Sequence, residues 1–315
     1  MSRPVVVIRS FPLDDVERGV LRDAAGSLLE LRFEAAGSPE SLDGVAAVAG
    51  TVTEQELAGT PDLRWISLWS AGADMALTPA LERRPEIVLT ATLGNGAPAL
   101  AEHAVMLMTL LSRGAWRWAH AQRAHEWDRL QHVELAGQTA GLIGLGRSGG
   151  RLARILRAMD MRIFATRRTP GDDDRVDQTF SADRLDHMLA QCDWVVVTAP
   201  LTSETRGMMG ETQFRAMKQT ARFINVSRGA VSDQRALERA LTEGWIAGAG
   251  LDAHHTEPLP TDSVLWDLPN VIVTPHNAAT STRAKVRAID SLAANLIRFG
   301  QGEPLQDTVD RLTGY

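Results

Sequence analysis

The sequence predicts an α/β protein made of two doubly wound units. Three observations predict it. Short, wholly apolar runs recur along the chain, amphipathic segments separate them, and the run at residues 139–143 leads directly into a glycine-rich turn and a helical segment. Runs that are apolar throughout read as parallel strands buried on both faces. Right-handed crossovers are then the economical connections. At 315 residues the chain exceeds the usual size of one compact core.

In chain order, residues 5–9, 28–33, 45–49, 65–68 and 87–89 are the strands of the first unit. Residues 99–123, apolar at first and then carrying Arg113, Arg117 and Arg123, form one long helix or two joined ones. The second unit has strands at 139–143, 161–166, 194–198, 222–226, 246–251 and 271–274, with helices at 147–159, 211–217 and 233–243. Residues 280–299 read as a closing helix, and 300–315 as a short polar coil.

Composition narrows the function. Lys and Arg number 33 against 39 Asp and Glu, a net charge of -6, which offers no broad basic surface for nucleic acid. Cys192 is the single cysteine, which excludes an intrachain disulfide and fits a reducing, cytoplasmic setting. It precedes an apolar strand and reads as a structural thiol. The start of the chain lacks the apolar region of a secretory signal, and no later run reaches membrane-spanning length.

The sharpest local motif is Gly144-Leu145-Gly146-Arg147-Ser148-Gly149, placed between strand and helix as a dinucleotide site requires. Gly144 makes the tight turn, Gly146 clears the pyrophosphate approach, and Gly149 permits close helix packing. An unrelated glycine turn is the bland alternative. Arg167 lies 18 positions after Gly149, close to the residue that reads the adenine ribose. An acid there would repel a 2'-phosphate, whereas Arg167 and Arg168 pair with one. A solvated basic turn is the alternative for these two.

Three polar clusters follow later strands, where open α/β sheets bind ligands: Ser227-Arg228-Gly229, Asp252 to Glu257, and Thr274-Pro275-His276-Asn277. Arg228 offers a fork for a carboxylate, against an ordinary ion pair. His276 is suited to proton exchange near neutral pH, and Glu257 can orient it and favour its imidazolium form if the two loops meet. Asp252 supports the cofactor ribose or its own loop. A metal site is not indicated, because these ligand types lack a zinc spacing. The turn Ala71-Gly72-Ala73 can present amides to an acid, or is simply a tight loop. Trp116, Trp118, His120, His125 and Trp127 either pack a helix or cover the site or a second subunit.

The ordered set resembles the D-isomer-specific 2-hydroxyacid dehydrogenase family, and within it the NADP-using glyoxylate/hydroxypyruvate reductase branch. Beside the glycine turn it includes Pro200-Leu201-Thr202 with Thr205-Arg206, Ile224 to Gly229, Gly248 to Asp252, Glu257-Pro258-Leu259-Pro260, and Pro269 to His276. The resemblance implies catalysis by Arg228, His276 and Glu257, with substrate held by Arg228 and the backbone of Ala71, Gly72 and Ala73. It implies cofactor contacts from residues 144–149, Arg167, Arg168, Pro200, Thr205, Val226, Ser227, Asp252 and His276. It also implies a homodimer and a dinucleotide domain, residues 100–282, inserted into a discontinuous flavodoxin-like substrate domain of residues 1–99 and 283–315. The expected reaction is NADPH-preferring reduction of glyoxylate, hydroxypyruvate or a similar 2-keto acid to a D-2-hydroxy acid, with NAD as a possible second cofactor. The alternatives are another 2-hydroxy acid, or a dinucleotide-binding regulatory protein with little turnover.

Overall fold

The computed structural model describes residues 3–35 and 41–314. The chain divides into two compact units, Met1–Asn95 with Ser281–Tyr315, and Gly96–Thr280. These divisions precede 99/100 and 282/283 by a few residues because each crossing helix takes its N-cap, Gly96 or Ser281, into its own unit.

The first unit begins β1 (Val5–Ser10), α1 (Asp15–Ala25), β2 (Glu30–Ala35), β3 (Val45–Ala49), α2 (Glu54–Gly59), β4 (Trp65–Leu68), α3 (Pro79–Glu82) and β5 (Val88–Ala91). Its sheet runs β2-β1-β3-β4-β5, and every pair is parallel. Asp14 and Glu17 start α1 with reciprocal bonds of 2.8 and 2.9 Å, satisfying two amides that the helix cannot.

The second unit contains α4 (Ala97–Arg113), α5 (Ala115–Ala124), β6 (Thr139–Ile143), α6 (Arg147–Ala158), β7 (Arg162–Thr166), β8 (Gln178–Phe180), α7 (Leu185–Leu189), β9 (Trp194–Val197), α8 (Glu211–Ala216), β10 (Arg222–Asn225), α9 (Gln234–Thr242), β11 (Gly248–Leu251) and β12 (Val271–Val273). Residues 99–123 are thus two helices, parted where Gly114 adopts φ +57°. The sheet order is β12-β11-β10-β9-β6-β7-β8, parallel throughout. The chain therefore winds outward in one direction from β6 and in the other from β9, which makes the carboxyl ends of this pair the topological switch point. The three-residue β8 was too short to show any period in the sequence.

The last helix, α10 (Thr282–Gln301), belongs to the first unit and packs beside α1. Its Ile289, Leu292 and Leu296 join Leu21 and Trp65 in one buried cluster. After that helix the described C-terminal residues are coil and turn with one bridge, as expected, and they are tied down. Thr308 bridges Thr90, Val309 N–H donates to Leu89 O at 2.9 Å, and Arg311 Nη1 donates to Leu81 O at 2.8 Å. Those bonds are non-local, so the polar composition of residues 300–315 gave no sign of them.

No helix among the described residues is long and apolar enough to cross a membrane.

Leu296 is fully buried. Leu296→Ala should destabilise the first unit by about 2–5 kcal/mol, the cost of a truncated core leucine. Urea denaturation that showed no shift in any unfolding transition would separate α10 from that core.

Candidate active site

The carboxyl edge of the second sheet carries the site, and glycines let its loops approach. Gly144, at φ +99°, turns the chain after β6 where a Cβ would lie 2.8 Å from the Ala199 backbone. A Cβ on Gly149 would overlap the Gly144 carbonyl oxygen and come within 2.8 Å of Thr198 Oγ1. A Cβ on Gly146 would meet nothing within 4 Å, so this glycine faces open space at the N-cap of α6. The first turn of α6 has no acidic residue and no side-chain cap. Such a helix end, with outward amides and an uncrowded approach, fits a pyrophosphate.

The neighbouring elements brace this turn. Thr198 Oγ1 donates to Gly144 O at 2.8 Å, Thr205 Oγ1 donates to Pro200 O at 2.7 Å, and the Ser227 hydroxyl donates to Ala199 O. The side chains of Leu145 and Val226 lie in the core, leaving their backbones as the groups that can face a ligand.

After β10, Asn225 shapes the loop that carries Arg228. Its Oδ1 accepts from Ser227 N at 3.1 Å, and its Nδ2 donates to Arg228 O at 3.0 Å. Gly229 then presses on the next loop, where a Cβ would overlap the His254 carbonyl and His255 nitrogen. The Arg228 turn and the Asp252–Glu257 loop are therefore packed backbone to backbone.

His276 follows β12 with φ +51°, a left-handed conformation that is uncommon for a residue with a side chain. Its N–H donates to Asp252 O at 2.8 Å. Its Nδ1 lies 2.7 Å from Glu257 Oε2, with both side chains partly exposed. Burial pushes the Glu257 carboxyl up, but the His254 amide at 2.9 Å and the imidazole of His276 outweigh it and hold the group below the ordinary carboxylate range. The bond from His254 was not visible in the sequence, because it arises from how the loop closes on itself.

Asp252 is buried at 1% exposure. Its Oδ1 accepts from Thr274 Oγ1 at 2.6 Å and Asn277 N at 2.8 Å, and its Oδ2 accepts from Ala278 N at 2.8 Å. His103 Nε2, on α4, lies 3.0 Å from Thr274 Oγ1 and 3.4 Å from Asp252 Oδ1. Of the two roles weighed for Asp252, the geometry displays the loop brace. His103 is a member of this group that sequence reasoning missed, since 149 positions separate it from Asp252.

At the other end of the nucleotide site, Arg167 Nη1 lies 3.3 Å from Asp173 Oδ2, and Arg168 lies 3.6 Å from Glu204. Asp173, six residues past Arg167, folds back to it, a contact the sequence reading did not foresee. Cys192 is buried, which pushes its thiol up to about 12 and suits a structural role. Trp116, Trp118 and His120 lie on α5, with His125 capping it, and Trp127 beyond is exposed. Ala71, Gly72 and Ala73 follow β4 in the first unit, where Ser70 Oγ donates to Gly72 O at 2.7 Å. Among the described residues no group of three or more His, Cys, Asp or Glu side chains could hold a metal ion.

Residues 105–278 match the family profile described as D-isomer specific 2-hydroxyacid dehydrogenase, NAD binding domain. The glyoxylate reductase of Korarchaeum cryptofilum is 34% identical over 265 residues, 82% of this chain and 80% of that one. The fold is similar to the NADPH-dependent glyoxylate/hydroxypyruvate reductase of Sinorhizobium meliloti, solved with NADP and sulfate, at a TM-score of 0.83 and 29% identity over 100% of both chains. It is similar also to a D-isomer specific 2-hydroxyacid dehydrogenase of Xanthobacter autotrophicus solved with NADPH, at a TM-score of 0.86 and 29% identity over 100% of both chains.

A depressed carboxylate contributes stability that is present above its unfolded pKa, about 4.3 for Glu, and lost as pH falls through the lower folded value. Glu257→Gln should therefore melt below the parent protein at pH 6 and converge with it toward pH 3. A gap that stays constant across that range would show that the carboxylate charge is not what the site uses.

Proposed function

The chain belongs to the D-isomer specific 2-hydroxyacid dehydrogenase family, and from that premise we propose that it reduces glyoxylate, hydroxypyruvate or another compact 2-keto acid to the D-2-hydroxy acid, preferring NADPH to NADH. The observation that carries the proposal is the 2.7 Å pair of His276 and Glu257 on the sheet edge that also bears the glycine turn and Arg228.

Bound nicotinamide cofactor supplies the hydride to C2 of the keto acid. The α6 N-terminus and the open approach at Gly146 hold the pyrophosphate, while Arg167 and Arg168 favour the cofactor with the extra phosphate. Arg228 binds the substrate carboxylate through its planar fork and polarises the adjacent carbonyl. Assignment of the Gly72 and Ala73 amides to the same acid rests on the family resemblance.

With Nδ1 engaged by Glu257, Nε2 is the imidazole nitrogen that gives its proton to the carbonyl oxygen as negative charge develops there. The imidazolium leaves this step neutral and the oxygen becomes a hydroxyl, so one hydride and one proton account for the reduction. Glu257 keeps the ring oriented through its bond to Nδ1. This reading also takes the enzyme as a cytoplasmic homodimer, in keeping with the resemblance.

Oxidation of NADPH by compact keto acids, set beside reduction of NADP+ by phosphorylated hydroxy acids and by formate, tests the substrate class. Turnover confined to formate or the phosphorylated acids would reject the assignment, and binding of cofactor without any turnover would favour a regulatory protein. His276→Asn should lower kcat by about 10²- to 10⁴-fold and change cofactor affinity far less, since the group it removes is the proton donor. Arg167→Asp should weaken NADPH more than NADH. An unchanged affinity ratio in that variant and in Arg168→Ser would place selectivity elsewhere.

A further inference from the structure

The loop after β7 contains an arrangement that the phosphate assignment leaves unexplained. Asp173 is held at 9% side-chain exposure on a loop whose neighbours face solvent. Arg175 grips it with three bonds. Its Nε meets Oδ1 at 2.7 Å, its Nη2 meets Oδ2 at 2.5 Å, and its backbone N–H reaches Oδ1 at 3.2 Å. Arg167 has one long contact, 3.3 Å, to the same Oδ2.

The Arg175 guanidinium is seated on α6 at Gly150, where a Cβ would overlap Nη1. Gly150 is the fourth residue of that helix, so a cation lies on its positive end, an unfavourable placement by itself. The Asp173 carboxylate compensates, and Arg175 holds it well down, to about 2, so it is ionised at any working pH.

We propose that Arg175 is a positioning residue for cofactor selectivity: by occupying Asp173 with a bidentate pair seated on Gly150, it keeps that carboxylate from capturing Arg167, which stays able to turn to the 2'-phosphate of NADPH. The inference rests on the reading of Arg167 as a phosphate ligand. Two guanidinium groups share the Asp173 carboxylate beside the helix end, and Asp174 also acts on Arg175. A fork-to-carboxylate pair is stronger than a single long contact, so Asp173 belongs to Arg175 and only loosely to Arg167. Without Arg175, the carboxylate would have Arg167 as its remaining partner. It would then compete with the ligand phosphate and repel it.

The test is direct binding, by fluorescence titration of NADPH and NADH and by calorimetry with adenosine 2',5'-bisphosphate against adenosine 5'-monophosphate. Arg175→Met should lower the NADPH-to-NADH affinity ratio about fivefold, the upper range for a partly exposed charge contact. NADH affinity should remain within about twofold, which also reports an intact fold. Asp173→Asn should raise the ratio, and adding it to Arg175→Met should restore what that change lost. A ratio unmoved by Arg175→Met, a ratio lowered by Asp173→Asn, or a double variant that does not recover would each overturn the inference while leaving the Arg167 assignment standing. If the unmodified protein binds the 2'-phosphorylated ligands no better than their counterparts, the NADPH reading fails and this inference with it.

Discussion

The buried carboxylate of Asp252 is the constraint on which the rest of the site depends. A carboxylate at 1% exposure is costly unless its lone pairs are filled, and here Thr274 Oγ1 and the amides of Asn277 and Ala278 fill them. Those donors come from both sides of His276. Meeting the demand of Asp252 therefore bends residues 274–278 around it and leaves His276 at φ +51°. A conformation that costs a side-chain-bearing residue on the order of 1–2 kcal/mol is held by bonds its neighbours must make anyway. His103 adds α4 to the same knot through Thr274. The imidazole is aimed by the backbone before any ligand arrives.

The sequence displayed the parts of this arrangement that are periodic or local. Buried parallel strands such as Val45–Ala49 and Trp194–Val197 are apolar at every position, and burial on both faces makes them so. The glycine turn announced itself because Gly144 and Gly149 meet separate steric needs and Gly146 leaves the helix end open, all within six residues. Other features are set by chain closure and left no local trace. Asp173 reads as one acid in a run of three, Asp172-Asp173-Asp174, and only the fold selects the one that turns inward to Arg175 and Arg167. His103 reads as a polar break in an apolar helix, yet it is polar because it faces the one buried carboxylate of the sheet edge. The C-terminal residues look like coil because their partners, Leu89 and Thr90, lie more than two hundred positions away.

Backbone contact sets the register between the loops of the candidate site. Gly229 lies so close to His254 that even a methyl group has no room, and Gly149 stands in the same relation to Gly144. Side-chain packing tolerates small shifts through rotamer changes, whereas abutting backbones do not. The Arg228 turn is therefore registered against the Glu257 loop, and Glu257 against His276 through the 2.7 Å bond. Orientation of this kind is what a proton donor needs, because small misplacements cost rate steeply.

Two carboxylates adjoin the same histidine, and their surroundings divide the work. Asp252 touches only the backbone of His276, through its own carbonyl, and the carboxylate oxygens are already taken by three donors of the folded chain. Accepting the imidazole proton's charge would require it to give up bonds that fix the loop. Glu257 has the opposite balance. It is partly exposed, one oxygen meets the His254 amide, and the other meets the imidazole itself. In the proposed reaction it would stay on the ring while the proton leaves and returns, without unfastening the backbone. The rigid carboxylate thus sets where His276 stands, and the accessible one holds the ring itself through Nδ1. Exchanging the two would lose both functions, because an exposed brace would not order the loop and a saturated partner could not respond to the proton.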